Sequence, residues 1–159
     1  MSIAEAMQKF WKRLRVTDRN DILRYKHVWY VPTLEHLADD TRALSRDPGA
    51  NSGGGEDGLT FRIRKGEHVA FRFEMFNSLG AGNFGQVVRC FDHKYKREVA
   101  LKLISPEETF ASQARVEVAV LKRVEGGTSR IVKMLEHLKF RDRVCVVFEL
   151  LHSNLYEFL

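Results

Sequence analysis

The hydrophobic and polar positions follow a helical period in the first part of the chain. Across residues 3–14 the apolar side chains recur every three or four positions, which predicts an amphipathic helix. An aromatic segment follows at residues 25–32, and a second short helix is predicted over residues 33–44. Residues 47–58 are rich in glycine and poor in apolar side chains, which is typical of a linker. The pattern divides the chain into an extension (1–46), a linker (47–58) and a domain (59–159).

After the linker the period changes to two, which is typical of β-strands. One helix interrupts the strands from about residue 110 to residue 124 and is expected to end at the pair Gly126-Gly127. The expected fold class is α+β, with a five-stranded antiparallel sheet and one packed helix. Alternation begins at residues 60–64, and the strands are predicted at 71–75, 86–91, 98–104, 131–140 and 144–150.

The composition predicts a packed core, and the placement of the two cysteines predicts a reducing compartment. Of the 159 residues 44% are hydrophobic and 30% are charged, which suits one domain with an extension. No apolar run approaches the roughly 18 residues of a membrane span, so no membrane partner is expected. Cys90 and Cys145 both lie in apolar, strand-like runs, as buried thiols do. We therefore expect a cytoplasmic or nuclear protein.

The positive charge is concentrated at the front of the chain. Residues 1–30 hold seven Lys or Arg against three acids, while the whole chain carries a net charge of +5. A basic helix with Phe10 and Trp11 on it could touch nucleic acid or an anionic lipid surface. The interpretation we favour is a solvated amphipathic helix, and we do not expect nucleic acid as a partner.

Three glycines, at positions 80, 82 and 85, form the most informative motif of the chain. Residues without a Cβ let backbone N–H groups approach a phosphate chain closely, and Phe84 at the tip could cover it. The same spacing also occurs in dinucleotide-binding turns, with Glu98 near the place of the acid that binds ribose. Such a turn must open a helix, whereas residues 86–91 are rich in β-forming side chains. A structural hairpin with incidental glycines is the remaining alternative.

Lys102 and Glu117 are the candidate charged residues of the site. Lys102 lies between two leucines in a predicted strand, so its side chain faces away from them. Glu117 shares a helical stripe with Val120, Leu121 and Val124, which points the carboxylate inward. A buried ammonium needs an anion, and breaking a buried pair costs about 3–5 kcal/mol. The alternative is that Glu117 lies at the edge of the stripe and reaches solvent.

Two short motifs resemble catalytic sequences but lack their chemistry. Asn83-Phe84-Gly85 has no aspartate to bind metal, and Phe140-Arg141-Asp142 has Val147 where a catalytic loop carries asparagine. The second motif is predicted to be a hairpin turn. The sequence thus shows no metal ligands and no catalytic base.

These residues together resemble the dual-specificity tyrosine-regulated kinases (the DYRK family), and within them the class II branch. The resemblance is close over residues 67–159 and looser from residue 17, where the aromatic segment is similar to the one that supports autophosphorylation in that branch. It rests on His68-Val69-Ala70-Phe71-Arg72-Phe73-Glu74, the glycine motif, Phe91-Asp92-His93-Lys94, Val99-Ala100-Leu101-Lys102, Phe148-Glu149-Leu150-Leu151 and Asn154-Leu155-Tyr156-Glu157.

The resemblance implies a role for each matching residue. Lys102 would hold the α- and β-phosphates of ATP, and Glu117 would hold Lys102. Phe148 would be the gatekeeper, with the backbone of Glu149 and Leu151 bonding the adenine edge and Asn154 near the ribose. The implied nucleotide-binding residues are Leu79, Gly80, Ala81, Gly82, Asn83, Phe84, Gly85, Val87, Ala100, Lys102, Val132, Phe148, Glu149, Leu150, Leu151 and Asn154.

The implied function is transfer of the γ-phosphate of ATP to serine, threonine and tyrosine hydroxyls of protein substrates. The sequence departs from the family at Ala81 and Asn83, where lysine and serine are usual, and it matches no catalytic loop. The ligands of Mg²⁺ would therefore lie in a C-terminal kinase lobe, the expected partner of this lobe, and this chain alone is expected to be inactive. The alternative function is a non-catalytic interaction module with the same fold.

Overall fold

The computed structural model describes residues 1–32, 63–124 and 131–151. Six strands in these ranges form one antiparallel sheet in the order β1-β2-β3-β4-β6-β5. The strands are β1 (His68–Val69), β2 (Phe73–Gly82), β3 (Gly85–Asp92), β4 (Arg97–Ile104), β5 (Met134–Phe140) and β6 (Arg143–Glu149). The helices are α1 (Ile3–Phe10), α2 (Val16–Asp21) and α3 (Glu108–Val124), with 3₁₀ turns at Trp11–Arg13 and Ile22–Arg24. The predicted fold class, an antiparallel sheet with one packed helix, is confirmed.

The main core lies against one face of the sheet, where alternate residues of the strands point. Because side chains alternate across a strand, β2 buries Phe73 and Met75, and β4 buries Val99, Leu101 and Leu103. Cys90 and Cys145 are free, buried thiols in this core. No described helix is long and apolar enough to cross a membrane.

The sheet has one strand more than the sequence predicted. The extra strand is the two-residue β1, and Val69 pairs with Phe73 across a tight turn. The turn contains Ala70 and Phe71 at φ of 55° and 51°, a left-handed conformation that non-glycine residues seldom adopt. The predicted strand at 71–75 therefore begins only at Phe73, and residues 63–64 are not in a strand.

Helix α3 packs on the sheet through a stripe that only partly matches the predicted one, since the predicted Leu121 packs against the core. Ala114 and Val118 are buried, and Val118 joins a cluster with Met134 and Val146. Val120 and Val124 remain exposed, at 53% and 36% of their accessible area. The prediction that these two valines face inward with Glu117 was therefore wrong. The glycine pair expected to end the helix lies outside the described residues.

The N-terminal segment packs on the domain instead of lying free in solvent. Helix α1 begins with a capping box, in which Ser2 and Glu5 satisfy each other's backbone N–H groups. It ends at Phe10, four residues before the predicted end at Leu14. Ala6, Leu14, Ile22, Val28 and Phe71 form one buried cluster, so Phe71 of the domain belongs to the core of the extension. The interpretation of a solvated helix was wrong for this face; the predicted helix at 33–44 and the linker lie outside the described residues.

Candidate nucleotide-binding site

The glycine motif forms a hairpin at the end of β2 and β3. Gly80 pairs with Val87 and Gly82 with Gly85, leaving Asn83 and Phe84 at the turn. This connection between antiparallel strands excludes the dinucleotide-binding alternative, which needs a strand followed by a helix. Glu98, the acid considered for ribose, instead accepts hydrogen bonds from Arg89 at 2.8 Å.

The structure explains Gly85 differently from the other two glycines of this hairpin. Gly85 has φ of +136°, and a Cβ on it would lie 2.1 Å from the carbonyl oxygen of Leu103. Gly80 and Gly82 have no atom within 4 Å of a Cβ position, so their surroundings are open. Gly85 is thus required by the fold itself, whereas the other two leave the backbone accessible from solvent. This open backbone is the feature that a phosphate-binding loop needs.

The tip of the hairpin is held against the start of α3. The Phe84 ring packs edge-to-face on Phe110 with centroids 5.5 Å apart, although Phe84 remains 58% exposed. The N–H of Ser105 donates to the Phe84 carbonyl at 3.2 Å. Phe110 was missed in the sequence, because no local pattern connects the first turn of a helix to a distant hairpin tip.

Lys102 and Glu117 form the ion pair that defines the site. The Lys102 Nζ donates to both carboxylate oxygens of Glu117, each at 2.8 Å. The two side chains are 25% and 38% exposed, so the pair is partly solvated. The expectation of a buried pair was wrong, and the about 3–5 kcal/mol of a buried pair does not apply. Exposed pairs contribute at most about 1 kcal/mol to folding, so this contact stabilises the fold little.

Strand register places three predicted residues on one face beside Lys102. Val87 is the cross-strand partner of Lys102, and Phe148 is the partner of Ala100, two residues away on the same strand. Val87, Ala100 and Phe148 are half-buried, which leaves apolar surface open next to the ammonium group. Val146, opposite Lys102, was not predicted; it is fully buried and packs against Val118 of α3.

The end of β6 is tied to the segment before β5. The Glu149 N–H donates to the Lys133 carbonyl at 3.1 Å, and the Lys133 N–H donates to a Glu149 carboxylate oxygen at 2.8 Å. Since the Glu149 N–H is already used, any contact of this residue with a base must come through its carbonyl oxygen. Val132 lies beside this connection and is 37% exposed.

The remaining predicted residues that the structure describes are exposed or half-buried. Leu79 is 48% and Leu151 is 60% exposed, while Leu150 is half-buried. Ala81 and Asn83 are exposed on the hairpin. Asn154 lies outside the described residues.

A buried carboxylate supports the far end of β2 and β3. Asp92 accepts two hydrogen bonds from the Arg72 guanidinium at 2.8 and 2.7 Å. Burial alone would raise the pKa of Asp92, but the hydrogen bonds and charge of Arg72 outweigh it and lower the pKa. Arg72 also bonds Glu136 of β5 at 2.5 Å, so one guanidinium joins β3 and β5 to the turn between β1 and β2. This contact was not predicted.

The architecture is that of the N-terminal lobe of a protein kinase. Residues 73–159 match the protein kinase domain family, and they make up more than half of the 159-residue chain. The chain belongs to the protein kinase family. A solved kinase domain superposes with a TM-score of 0.58 at 27% identity, over 64% of this chain and 31% of that one.

Within the family, the relatives are dual specificity tyrosine-phosphorylation-regulated kinases. The chain is 36% identical to mbk-2 of Caenorhabditis elegans, over 98% of this chain and 19% of that protein. It is 32% identical to human dual specificity tyrosine-phosphorylation-regulated kinase 4, over 100% of this chain and 31% of that protein. The resemblance to the DYRK family is therefore confirmed. The chain spans about a fifth to a third of the length of these relatives.

Proposed function

We propose that this lobe binds ATP between the glycine hairpin and the Lys102–Glu117 pair, as part of a kinase that phosphorylates protein hydroxyls. The observation that carries the proposal is the bidentate contact of Lys102 with Glu117, 2.8 Å to each oxygen, on the same face as half-buried Val87 and Ala100. A partly solvated pair contributes little to folding, and its exposed side is open to the anionic groups of a ligand.

The phosphate end of the nucleotide would meet the hairpin and the ammonium group. Gly80 and Gly82 leave room for phosphate oxygens to approach the backbone, and Glu117 holds the Lys102 ammonium in place beside them. Pairing with Glu117 orients the ammonium group before ATP binds. Less side-chain entropy is therefore lost when the ligand binds. Phe84 would cover the phosphates from the tip of the hairpin and exclude water.

The base would lie on the apolar face of the sheet. Ala100 is small enough to leave space on β4, while Val87 and Phe148 offer flanking apolar surface. The carbonyl of Glu149 and the backbone of Leu151 would hydrogen-bond the adenine edge. These residues fit a nucleotide through an open, half-buried apolar surface next to a fixed cation.

Bound Mg-ATP supplies the transferable γ-phosphoryl group and the charge of its metal. Within residues 1–32, 63–124 and 131–151 no three His, Cys, Asp or Glu side chains come together as a metal site. We infer that Mg²⁺ is held by the phosphates and by residues outside these ranges. The substrates would be proteins, phosphorylated on serine, threonine or tyrosine, and the compartment cytoplasmic or nuclear.

The test is a comparison of Lys102→Ala with Lys94→Ala, an exposed lysine in the turn after β3. A charge-assisted hydrogen bond contributes about 1.5–3 kcal/mol, so Lys102→Ala should weaken binding of a fluorescent ATP analogue about 10- to 100-fold. Lys94→Ala should bind as the parent does, and both variants should melt at the parent temperature. Unchanged nucleotide affinity in a folded Lys102→Ala protein would refute the proposed site.

A further inference from the structure

An exposed apolar strip runs along the outer side of the N-terminal extension. Trp11, Val16 and Leu23 are 46%, 72% and 62% exposed, although each is a large hydrophobic residue. Val16 begins α2, and Leu23 lies in the 3₁₀ turn that continues this helix, so both lie on one side of the helical segment with Arg19 between them. The Arg19 guanidinium lies 4.2 Å from the centroid of the Trp11 ring and donates to the Trp11 carbonyl at 3.0 Å. Arg19 therefore holds Trp11 beside the two aliphatic side chains.

The cations of residues 1–30 face solvent, whereas the acids of this segment are already occupied. Asp18 is buried, and Asp21 accepts a hydrogen bond from Arg141 at 2.7 Å. Glu5 accepts the Ser2 N–H at 2.8 Å as part of the helix cap. Five exposed cations, by contrast, make no ion pair with any residue of the described ranges: Lys9, Lys12, Arg13, Arg24 and Lys26. The outer surface of the extension thus combines apolar side chains with positive charge.

The inner side of the extension is fixed to the domain, so the outer side is a preformed surface. Leu14, between Trp11 and Val16 in the chain, is 3% exposed, and Ile22, next to Leu23, is fully buried. Both belong to the cluster that contains Phe71 of the domain. A ligand on the outer side would leave these contacts intact, and little backbone entropy would be lost on binding.

We propose that this outer side binds the surface of an anionic lipid bilayer. Trp11, Val16 and Leu23 would enter the boundary between headgroups and acyl chains, while the exposed cations contact the anionic headgroups. An indole ring and aliphatic side chains flanked by Lys and Arg are typical of segments that lie in this interface. The sequence contains no membrane-spanning run, but a segment that lies on a bilayer does not need one. Binding here does not depend on the nucleotide site.

A single-stranded nucleic acid fits this surface less well than a bilayer does. Bases stack on open aromatic faces, and the Trp11 ring already has the Arg19 guanidinium packed over it. Val16 and Leu23 offer no ring for a base, and a phosphate backbone would leave both side chains in water. A bilayer surface accepts the apolar side chains and the cations together.

The experiment measures co-sedimentation of the whole 159-residue chain with vesicles. The vesicles are phosphatidylcholine with about 30% phosphatidylserine, and we expect at least about tenfold weaker binding to pure phosphatidylcholine, together with weakening by salt. In a Trp29→Phe protein Trp11 is the only tryptophan, and lipids with brominated acyl chains should quench its fluorescence by about half or more. Equal binding to both vesicles, or binding without quenching of Trp11, would overturn the proposal.

Two pairs of serine substitutions test the apolar strip. Val16→Ser/Leu23→Ser should weaken binding to the phosphatidylserine vesicles by about tenfold or more. The matched control is Val116→Ser/Val120→Ser, which alters two valines of α3 that are 64% and 53% exposed and should change binding less than about twofold. Both proteins should melt at the parent temperature, because all four side chains are exposed. Equal weakening by the two pairs would contradict a site on the extension.

Two pairs of charge reversals test the cations. Lys12→Glu/Arg24→Glu changes residues next to Trp11 and Leu23 and should weaken binding by about tenfold or more, since each cation near an anionic membrane contributes about fivefold. Lys94→Glu/Lys96→Glu makes the same charge change in the exposed turn after β3 and should change binding less than about threefold. An equal loss from the second pair would show that net charge alone drives binding. Tighter binding to a thymidine oligonucleotide than to the vesicles would overturn the proposal in favour of a nucleic acid.

Discussion

Substitution of Asp18 tests whether the N-terminal segment is an integral part of the kinase lobe. Asp18 is 2% exposed and receives hydrogen bonds from three side chains: Arg15 at 3.1 Å, His68 at 3.3 Å and Arg141 at 2.6 Å. The last two belong to β1 and to the β5–β6 turn. One carboxylate in α2 thus holds two distant parts of the sheet.

The stability lost in Asp18→Ala depends on which hydrogen-bond partners remain for each side chain that contacts Asp18. The Nδ1 of His68 accepts the Phe71 N–H at 3.2 Å, so Nε2 carries the proton that is donated to Asp18. His68 is 1% exposed, and a buried donor without a partner costs about 1–3 kcal/mol. Arg15 keeps Glu67 and Arg141 keeps Asp21, so each adds only about 0–1 kcal/mol. The three contributions together give about 1–5 kcal/mol, and we expect a loss in the middle of this range, about 2–4 kcal/mol.

Tryptophan fluorescence is the suitable assay, because both tryptophans of the chain, Trp11 and Trp29, lie in the N-terminal segment. Asp18→Ala should lower the melting temperature by about 6–12 °C, seen both by fluorescence and by far-UV circular dichroism. The charge-matched comparison is Asp18→Asn with Asp142→Asn; Asp142 is 85% exposed, and its loss should cost less than about 0.5 kcal/mol. Equal stability of the two asparagine variants would refute the reasoning.

The same carboxylate predicts a pH dependence. Burial alone would raise the pKa of Asp18, but the hydrogen bond from His68 and the hydrogen bond and charge of Arg15 outweigh it and hold the pKa far below its usual range. A lowered folded-state pKa means that the stabilisation is present above the unfolded value, about 3.9, and is lost as the pH falls below it. The parent protein should therefore lose stability more steeply than Asp18→Ala from about pH 5 downward.

Two further predictions concern the glycine hairpin and the core thiols. Gly85→Ala should destabilise the protein by about 2–3 kcal/mol in urea denaturation, since its Cβ would meet the Leu103 carbonyl at 2.1 Å, whereas Gly80→Ala should cost less than about 1 kcal/mol; similar costs would contradict this steric account. Burial raises the pKa of Cys145 to about 12 and raises that of Cys90 as well, so at pH 8 a thiol reagent should modify them only after unfolding; rapid labelling of native protein would show that the core is open.

Local patterns were sufficient for the elements that bear the site. The alternation over residues 86–91 and around Lys102 indicated two strands, because such a pattern depends on neighbouring residues only. The turn at Arg141 and Asp142 was also predicted, and both residues have positive φ there, 46° and 63°. The spacing of Glu117 from the apolar positions of α3 placed its carboxylate near the sheet, although it assigned the wrong valines to the inward face.

Other features depend on residues that are far apart in the chain. Arg141 contacts Asp18 across 123 positions, and no local period relates such a pair. The strand β1 is joined to β2 by a turn in which Ala70 and Phe71 are left-handed, and burial of Phe71 with Ile22 and Val28 helps to hold that turn. The partial exposure of the Lys102–Glu117 pair likewise depends on how closely α3 packs against the sheet. Periodicity determines which face of an element is apolar; tertiary packing determines what covers that face, and burial, exposure and partner choice follow from it.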